Sequence, residues 1–199
     1  MSEYKGIQGN KVRNYTSDPD NPKEGQVWYN ETSNTLKVSS VSTVGSWSTG
    51  GNLNTARAGL SGAGTNNTSG LAFGGETGGP DARVGATESY DGTSWTELTD
   101  LNSVRSNSGG NGVQTSSLTF GGFVPPGNTT TAITESWNGS SWTEVADLNT
   151  ARLSMGFAGA DNTSALAIGG DDFTPPTRQQ ALTESWNGSS WTEVADLNE

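Results

Sequence analysis

The chain has 199 residues, of which 28 are glycine and only 30% are apolar, and it carries a formal net charge of −11. It contains no cysteine and no histidine, which excludes disulfides, thiol nucleophiles, thiolate or imidazole metal sites and imidazole acid–base chemistry. No run approaches the roughly 18 apolar residues of a membrane-spanning helix, and so acidic a chain repels nucleic-acid phosphates.

Residues 1–37 are neutral, with five basic groups (Lys5, Lys11, Arg13, Lys23, Lys37) against five acidic ones (Glu3, Asp18, Asp20, Glu24, Glu31). The start, MSEYKGIQGN, has no apolar stretch of the kind a secretory signal needs. Asp18-Pro19 and Asn21-Pro22 mark a turn or an extended kink. Gln26–Tyr29, Asn30–Asn34 and Thr35–Val38 read as strand, turn and strand. Residues 38–50 look like half of a repeat, with strands near Leu36–Val41 and Ser46–Ser48 and a tryptophan at Trp47. The whole net negative charge lies in residues 38–199, which contain no lysine, and such charge keeps a polar surface soluble.

From residue 51 onward the chain repeats. TESWNGSSWTEVADLN at Thr134–Asn149 recurs letter for letter at Thr183–Asn198, and TESYDGTSWTELTDLN stands at Thr87–Asn102. Trp47, Trp95, Trp142 and Trp191 follow one another at about 48 residues, as do the pairs Gly74-Gly75, Gly121-Gly122 and Gly169-Gly170 and the arginines Arg57, Arg105 and Arg152. A period of this length is that of a propeller blade.

Within residues 150–195, Leu153–Ala160 is expected as a first strand and Ser164–Ile168 as a second, ended by Gly169-Gly170. Asp171–Gln180 is a loop, Ala181–Trp186 a third strand, Asn187-Gly188 a two-residue hairpin turn with both residues at positive φ, and Ser190–Val194 a fourth strand. Each repeat is therefore expected to be a four-stranded antiparallel meander. The glycine pair suits a close backbone approach at the end of the second strand. The repeated tryptophans suit packing between blades more than ligand contact.

An apolar run ending in Gly-Gly, then an aromatic, a turn and a tryptophan resembles the kelch repeat of galactose-oxidase-like propellers over residues 51–198. The resemblance implies an all-β fold of about three four-stranded kelch-type blades plus a half blade, preceded by a hairpin leader. Only four residues separate Trp137 from Trp142, fewer than is usual in kelch repeats, so the turn between third and fourth strands is short. The resemblance divides the chain into a leader at 1–37, a half repeat or seam hairpin at 38–50 and three repeats at 51–199. The copper chemistry of galactose oxidase needs histidine and cysteine and does not carry over. Ser89–Trp95 approaches the structural Asp box of sialidase propellers, with one residue fewer between Asp91 and Gly92 and with asparagine replacing Asp91 in the other copies. Asp171-Asp172 is the only close acidic pair in the repeats, and a calcium role for it, or for Asp18 and Asp20, is unspecific. No enzyme activity and no cofactor are expected.

The leader resembles those that open structural proteins of marine tailed phages, notably cyanophages. That resemblance implies a virion structural protein: a capsid decoration, head fibre or tail-associated fibre on the particle's exterior, assembled in the host cytoplasm. Residues 1–37 would dock on other virion proteins. An adhesin that recognises a host surface glycan is the alternative. Its candidate contacts are Arg83, Phe123, Phe173 and Arg178, in the variable loops Glu76–Ala86, Phe123–Ala132 and Asp171–Ala181 between second and third strands. Three and a half blades do not close a ring of about four to eight blades. A homo-oligomer is therefore expected, a dimer or alternatively a trimer.

Overall fold

The computed structural model describes residues 12–20, 26–39, 49–79, 81–174 and 178–198, and the chain divides into two compact units, Met1–Ser48 and Thr49–Glu199. Among the described residues there is no helix; strands joined by turns make up the fold.

In the first unit, β1 (Arg13–Tyr15), β2 (Val27–Asn30) and β3 (Thr35–Val38) form a three-stranded sheet in that order. β2 and β3 are the expected hairpin, with Val27 opposite Val38 and Asn34 in the left-handed region at φ 52°. The sequence reading missed β1, which runs parallel to β2 with Arg13 opposite Trp28. Three residues are too few to show a strand alternation. Asp18 ties the strands together: one carboxylate oxygen accepts from the Trp28 indole at 3.0 Å and from Asn30 Nδ2 at 2.7 Å, the other from Lys37 Nζ at 2.6 Å. Leu36–Val38, expected to open the half repeat, belong to β3; residues 40–48, Trp47 included, lie outside the described residues.

The second unit contains three four-stranded antiparallel sheets. The first blade is β4 (Ser61–Asn66), β5 (Ser69–Phe73), β6 (Thr87–Tyr90) and β7 (Trp95–Glu97). The second is β8 (Gly109–Val113), β9 (Ser116–Phe120), β12 (Thr134–Trp137) and β13 (Trp142–Val145), with a small hairpin, β10 (Phe123–Val124) and β11 (Thr129–Thr130), in its loop. The third is β14 (Gly156–Asp161), β15 (Ser164–Ile168), β16 (Thr183–Trp186) and β17 (Trp191–Glu193). Every blade is the meander expected from the repeat. The inner strands pack side by side, β8 between β4 and β14. Their glycines Gly62, Gly64, Gly110, Gly112 and Gly159 line a shallow groove of about 240 Å³ beside Asn111 and Phe157.

Two local expectations are corrected. The first strand of the third blade starts at Gly156, not Leu153, because Ser154 is left-handed at φ 50° and Leu153 exchanges backbone hydrogen bonds with Asp171 at 2.9 and 3.0 Å. The Asn-Gly turns are not two-residue hairpins. Trp186 pairs with Trp191 across a loop of residues 187–190 in which Gly188, at φ 94°, is left-handed and Asn187 is not. Asn187 Oδ1 instead accepts from the backbone N–H groups of Ser189 and Ser190 at 2.9 and 3.0 Å. Its short side chain substitutes for a backbone turn.

The apolar core lies between blades. Leu71, Phe73, Leu101, Trp137 and Trp142 fill the first junction. Leu118, Phe120, Leu148, Met155, Ala165, Ala167, Trp186 and Trp191 fill the second. A chain only 30% apolar thus concentrates its hydrophobic area in two thin layers rather than one centre.

Candidate functional site

Each blade contains a buried ion pair between the recurring arginine and the glutamate of its Thr-Glu-Ser strand. Arg57 pairs with Glu88, Arg105 with Glu135 at 2.5 Å and Arg152 with Glu184 at 2.7 Å, all with side chains at most 2% exposed. An asparagine from the connecting segment completes each clamp. Asn54, Asn102 and Asn149 each donate both backbone N–H and Nδ2 to the second carboxylate oxygen, at 2.7–2.9 Å. The guanidinium also donates to carbonyls of the same blade, Ile133 for Arg105 and Leu182 for Arg152. Burial pushes the Glu88 carboxyl up, but the hydrogen bonds from Arg57 and the Asn54 N–H outweigh it and leave its pKa below the ordinary carboxylate value. Sequence reading noted the arginines but gave them no role. The signal was there: an Asn and an Arg three residues apart, with a Glu, recur in every copy of a segment that has no lysine.

Two of the recurring tryptophans, Trp142 and Trp191, contact the preceding blade. The Trp142 indole donates to Thr87 Oγ1 in the preceding blade at 3.0 Å and packs edge-on to Phe73 at 5.0 Å. Trp191 does the same with Thr134 at 3.1 Å and Phe120 at 4.9 Å. Trp95, in the first blade, is half-buried and donates to the Gly51 carbonyl at 3.1 Å. The glycine pairs are all left-handed, from φ 62° at Gly169 to φ 108° at Gly75. A Cβ on Gly74 or Gly121 would lie 2.8 or 2.3 Å from the carbonyl of Arg105 or Arg152 in the next blade. Gly122 and Gly170 approach Ser106 and Leu153 of their own blades as closely.

The four loop residues chosen as ligand contacts form one row. Arg83 lies 5.4 Å from the Phe123 ring, Phe123 meets Phe173 edge-on at 5.3 Å, and the Arg178 guanidinium stands 3.7 Å over the Phe173 ring. The loops hold them because each starts by bridging the segment after the recurring arginine: Ala58 to Glu76, Ser106 to Phe123 and Leu153 to Asp171. Two of these candidate contacts are closed off from solvent. Arg83 is 6% exposed and Phe123 8%. Arg83 donates to Ser106 Oγ at 3.2 Å and Asn128 Oδ1 at 2.6 Å, so it fastens the first loop to the second. Phe173, 42% exposed and left-handed at φ 63°, and Arg178, its side chain 40% exposed, form the accessible end.

Asp18, Asp91, Asp171 and Asp172 are engaged within the fold. Asp171 accepts from the Phe173 N–H at 2.6 Å and pairs with Arg178 at 3.3 Å; Asp172 accepts from Thr174 N–H and Gln180 Nε2 at 2.8 Å each. Asp91, of the Asp-box-like stretch, caps its hairpin through the Thr93 hydroxyl and the Thr93 and Ser94 N–H groups, which hold its carboxyl well below the usual range. Hydrogen bonds from Lys37, then Asn30 and Trp28, lower Asp18 to about 2.

No family model and no curated protein matches this chain. Among solved structures it is similar to that of YjhT, at a TM-score of 0.56 and 15% identity, over 85% of this chain and 51% of that one. The chain spans about half the length of the structure it matches. At this identity the likeness concerns the fold alone, which is all-β, built of antiparallel sheets and β-propeller-like.

Proposed function

We propose that the chain is a non-enzymatic display protein on the exterior of a bacteriophage particle, its leader docked on other virion proteins and its blades facing outward. The observation that carries this reading is the division into two units of opposite character. Residues 1–48 form a unit with no net charge, and residues 49–199 carry the whole net charge of −11. The blades hold five arginines, of which Arg57, Arg83, Arg105 and Arg152 are buried in clamps or loop contacts. Glu88, Glu135 and Glu184 are buried with three of them, so the acidic excess of the blades remains at the surface, which suits a solvent-facing array. The kelch-type assignment of the blades and the phage assignment of the leader rest on the sequence resemblance. The test removes residues 1–37 and asks whether the protein still decorates phage particles. Loss of decoration with retained β-structure supports the reading; unchanged decoration overturns it.

A second reading has one observation in its favour. Phe173 and Arg178 stand half-exposed at the end of the loop row, and an aromatic–guanidinium pair suits a sugar. A glycan array with the intact chain and with Phe173→Ala tests it. A signal that the substitution abolishes supports glycan recognition, and an array without signal rejects it.

A further inference from the structure

We propose that a second copy of this chain closes the blade array head to tail, the Trp95 end of each copy seating on the Thr183 end of the other to give a ring of six blades.

The argument rests on the two blade junctions inside the chain, which use the same contacts. The tryptophan of the following blade donates to the threonine of the preceding one, Trp142 to Thr87 and Trp191 to Thr134. The second glycine of the preceding blade donates to the following arginine's carbonyl, Gly75 to Arg105 at 2.8 Å and Gly122 to Arg152 at 2.9 Å. An amide side chain reaches back to a carbonyl, Gln114 to Tyr90 at 2.8 Å and Asn162 to Trp137 at 3.1 Å. Left-handed residues link in series, Asn107 N–H to the Gly59 carbonyl at 2.7 Å and Ser154 N–H to the Asn107 carbonyl at 3.0 Å.

The two ends of the array carry the separate halves of a third such junction. The third blade presents Thr183, Gly170, the Trp186 carbonyl and the Ser154 carbonyl. The first blade presents Trp95, the Arg57 carbonyl, Asn67 and the Gly59 N–H. The apolar positions agree. Leu71, Phe73, Leu118 and Phe120 are buried at the inner junctions, whereas their counterparts Leu166 and Ile168 are half-exposed. Leu197, counterpart of the buried Leu101 and Leu148, is 52% exposed. On docking, the Trp95 indole leaves Gly51, packs on the partner's Ile168 and donates to the partner's Thr183. Gly170 of each copy then donates to the partner's Arg57, and Asn67 donates to the partner's Trp186 carbonyl.

Closure fixes the number of copies. Propellers close at about four to eight blades. Two copies of three blades make six and three copies make nine. The two junctions formed are identical, as twofold symmetry requires.

The chain has no cysteine, so introduced thiols report position. At the first inner junction Ser61 Oγ lies 2.9 Å from Ser108 Oγ, and the counterparts at the ends are Gly156 and Leu60. The 199-residue chain is weighed by light scattering in dilute solution, and the double variant Leu60→Cys, Gly156→Cys is oxidised. A mass of twice 20.6 kDa, covalent dimer from the double variant and none from either single variant support the proposal. Ile168→Glu, at a half-exposed position compatible with folding, should then give monomer. A folded monomer of the unaltered chain, a trimer, or a dimer that neither cross-links nor responds to Ile168→Glu overturns it.

Discussion

Arg105 and Glu135 form an ion pair at 2.5 Å with neither side chain accessible to solvent. The arginine belongs to the segment entering the second blade and the glutamate to that blade's third strand, so the pair holds the entering chain across its sheet. Removing one partner of a buried pair leaves the other charge uncompensated. Glu135→Gln should therefore destabilise the blade unit by about 3–5 kcal/mol. The exposed pair Arg178–Asp171 gives the contrast, with Arg178→Ala costing under about 1 kcal/mol. Urea denaturation of both variants checks the difference; equal costs would show that the clamp is not what holds the blade.

Gly121 and Gly127 share a left-handed φ, 66° and 67°, but have different surroundings. A Cβ on Gly127 meets nothing within 4 Å, whereas one on Gly121 falls 2.3 Å from the Arg152 carbonyl. Gly127→Ala should cost only the left-handed penalty of roughly 1–2 kcal/mol. Gly121→Ala adds a backbone clash at the blade junction and should cost clearly more. Paired thermal melts give the comparison.

The repeat made the blade architecture legible, since strand order, loop positions and the joining role of Trp142 and Trp191 all follow from a period of about 48 residues. Features that depend on contacts between distant residues were not legible. Glu88, Glu135 and Glu184 sit in strands where alternation alone would place a charged residue in solvent, and only the arrival of an arginine from about 30 residues upstream makes burial tolerable. Arg83 and Phe123 looked like exposed loop residues because the sequence does not show that neighbouring loops close over them. Asn187 was read as a positive-φ turn residue, yet its side-chain oxygen caps a longer loop.

The leader should respond to acid. Asp18 titrates at about 2 in the folded unit against an ordinary 3.8, a depressed carboxylate. Its stabilising contribution is fully present above about pH 4 and is lost as the pH falls through 2. The resonance of the Trp28 indole N–H, which donates to Asp18, should shift over that window. Asp18→Asn should abolish the shift while leaving the blade resonances in place. An unchanged Trp28 titration in the variant would assign the effect to another group.

The reading as a non-enzyme rests on what the polar groups already do. In the blades the buried carboxylates Glu88, Glu135 and Glu184 each hold an arginine and an asparagine, and Asp91, Asp171 and Asp172 hold their own turns. Outside families such as the sialidases, which use a tyrosine nucleophile, a glycosidase needs two carboxylates facing one bond, one of them with a raised pKa. Glu88, Asp91 and Asp161 are instead shifted downward, which favours the unprotonated form and not a general acid. Purified protein should therefore release no product from neutral glycosides at any pH between 4 and 8. Turnover that disappears on substitution of one carboxylate outside the three clamps would refute the reading. Turnover lost only when a clamp glutamate is changed would be tested against the fold first, since those variants are expected to unfold the blade.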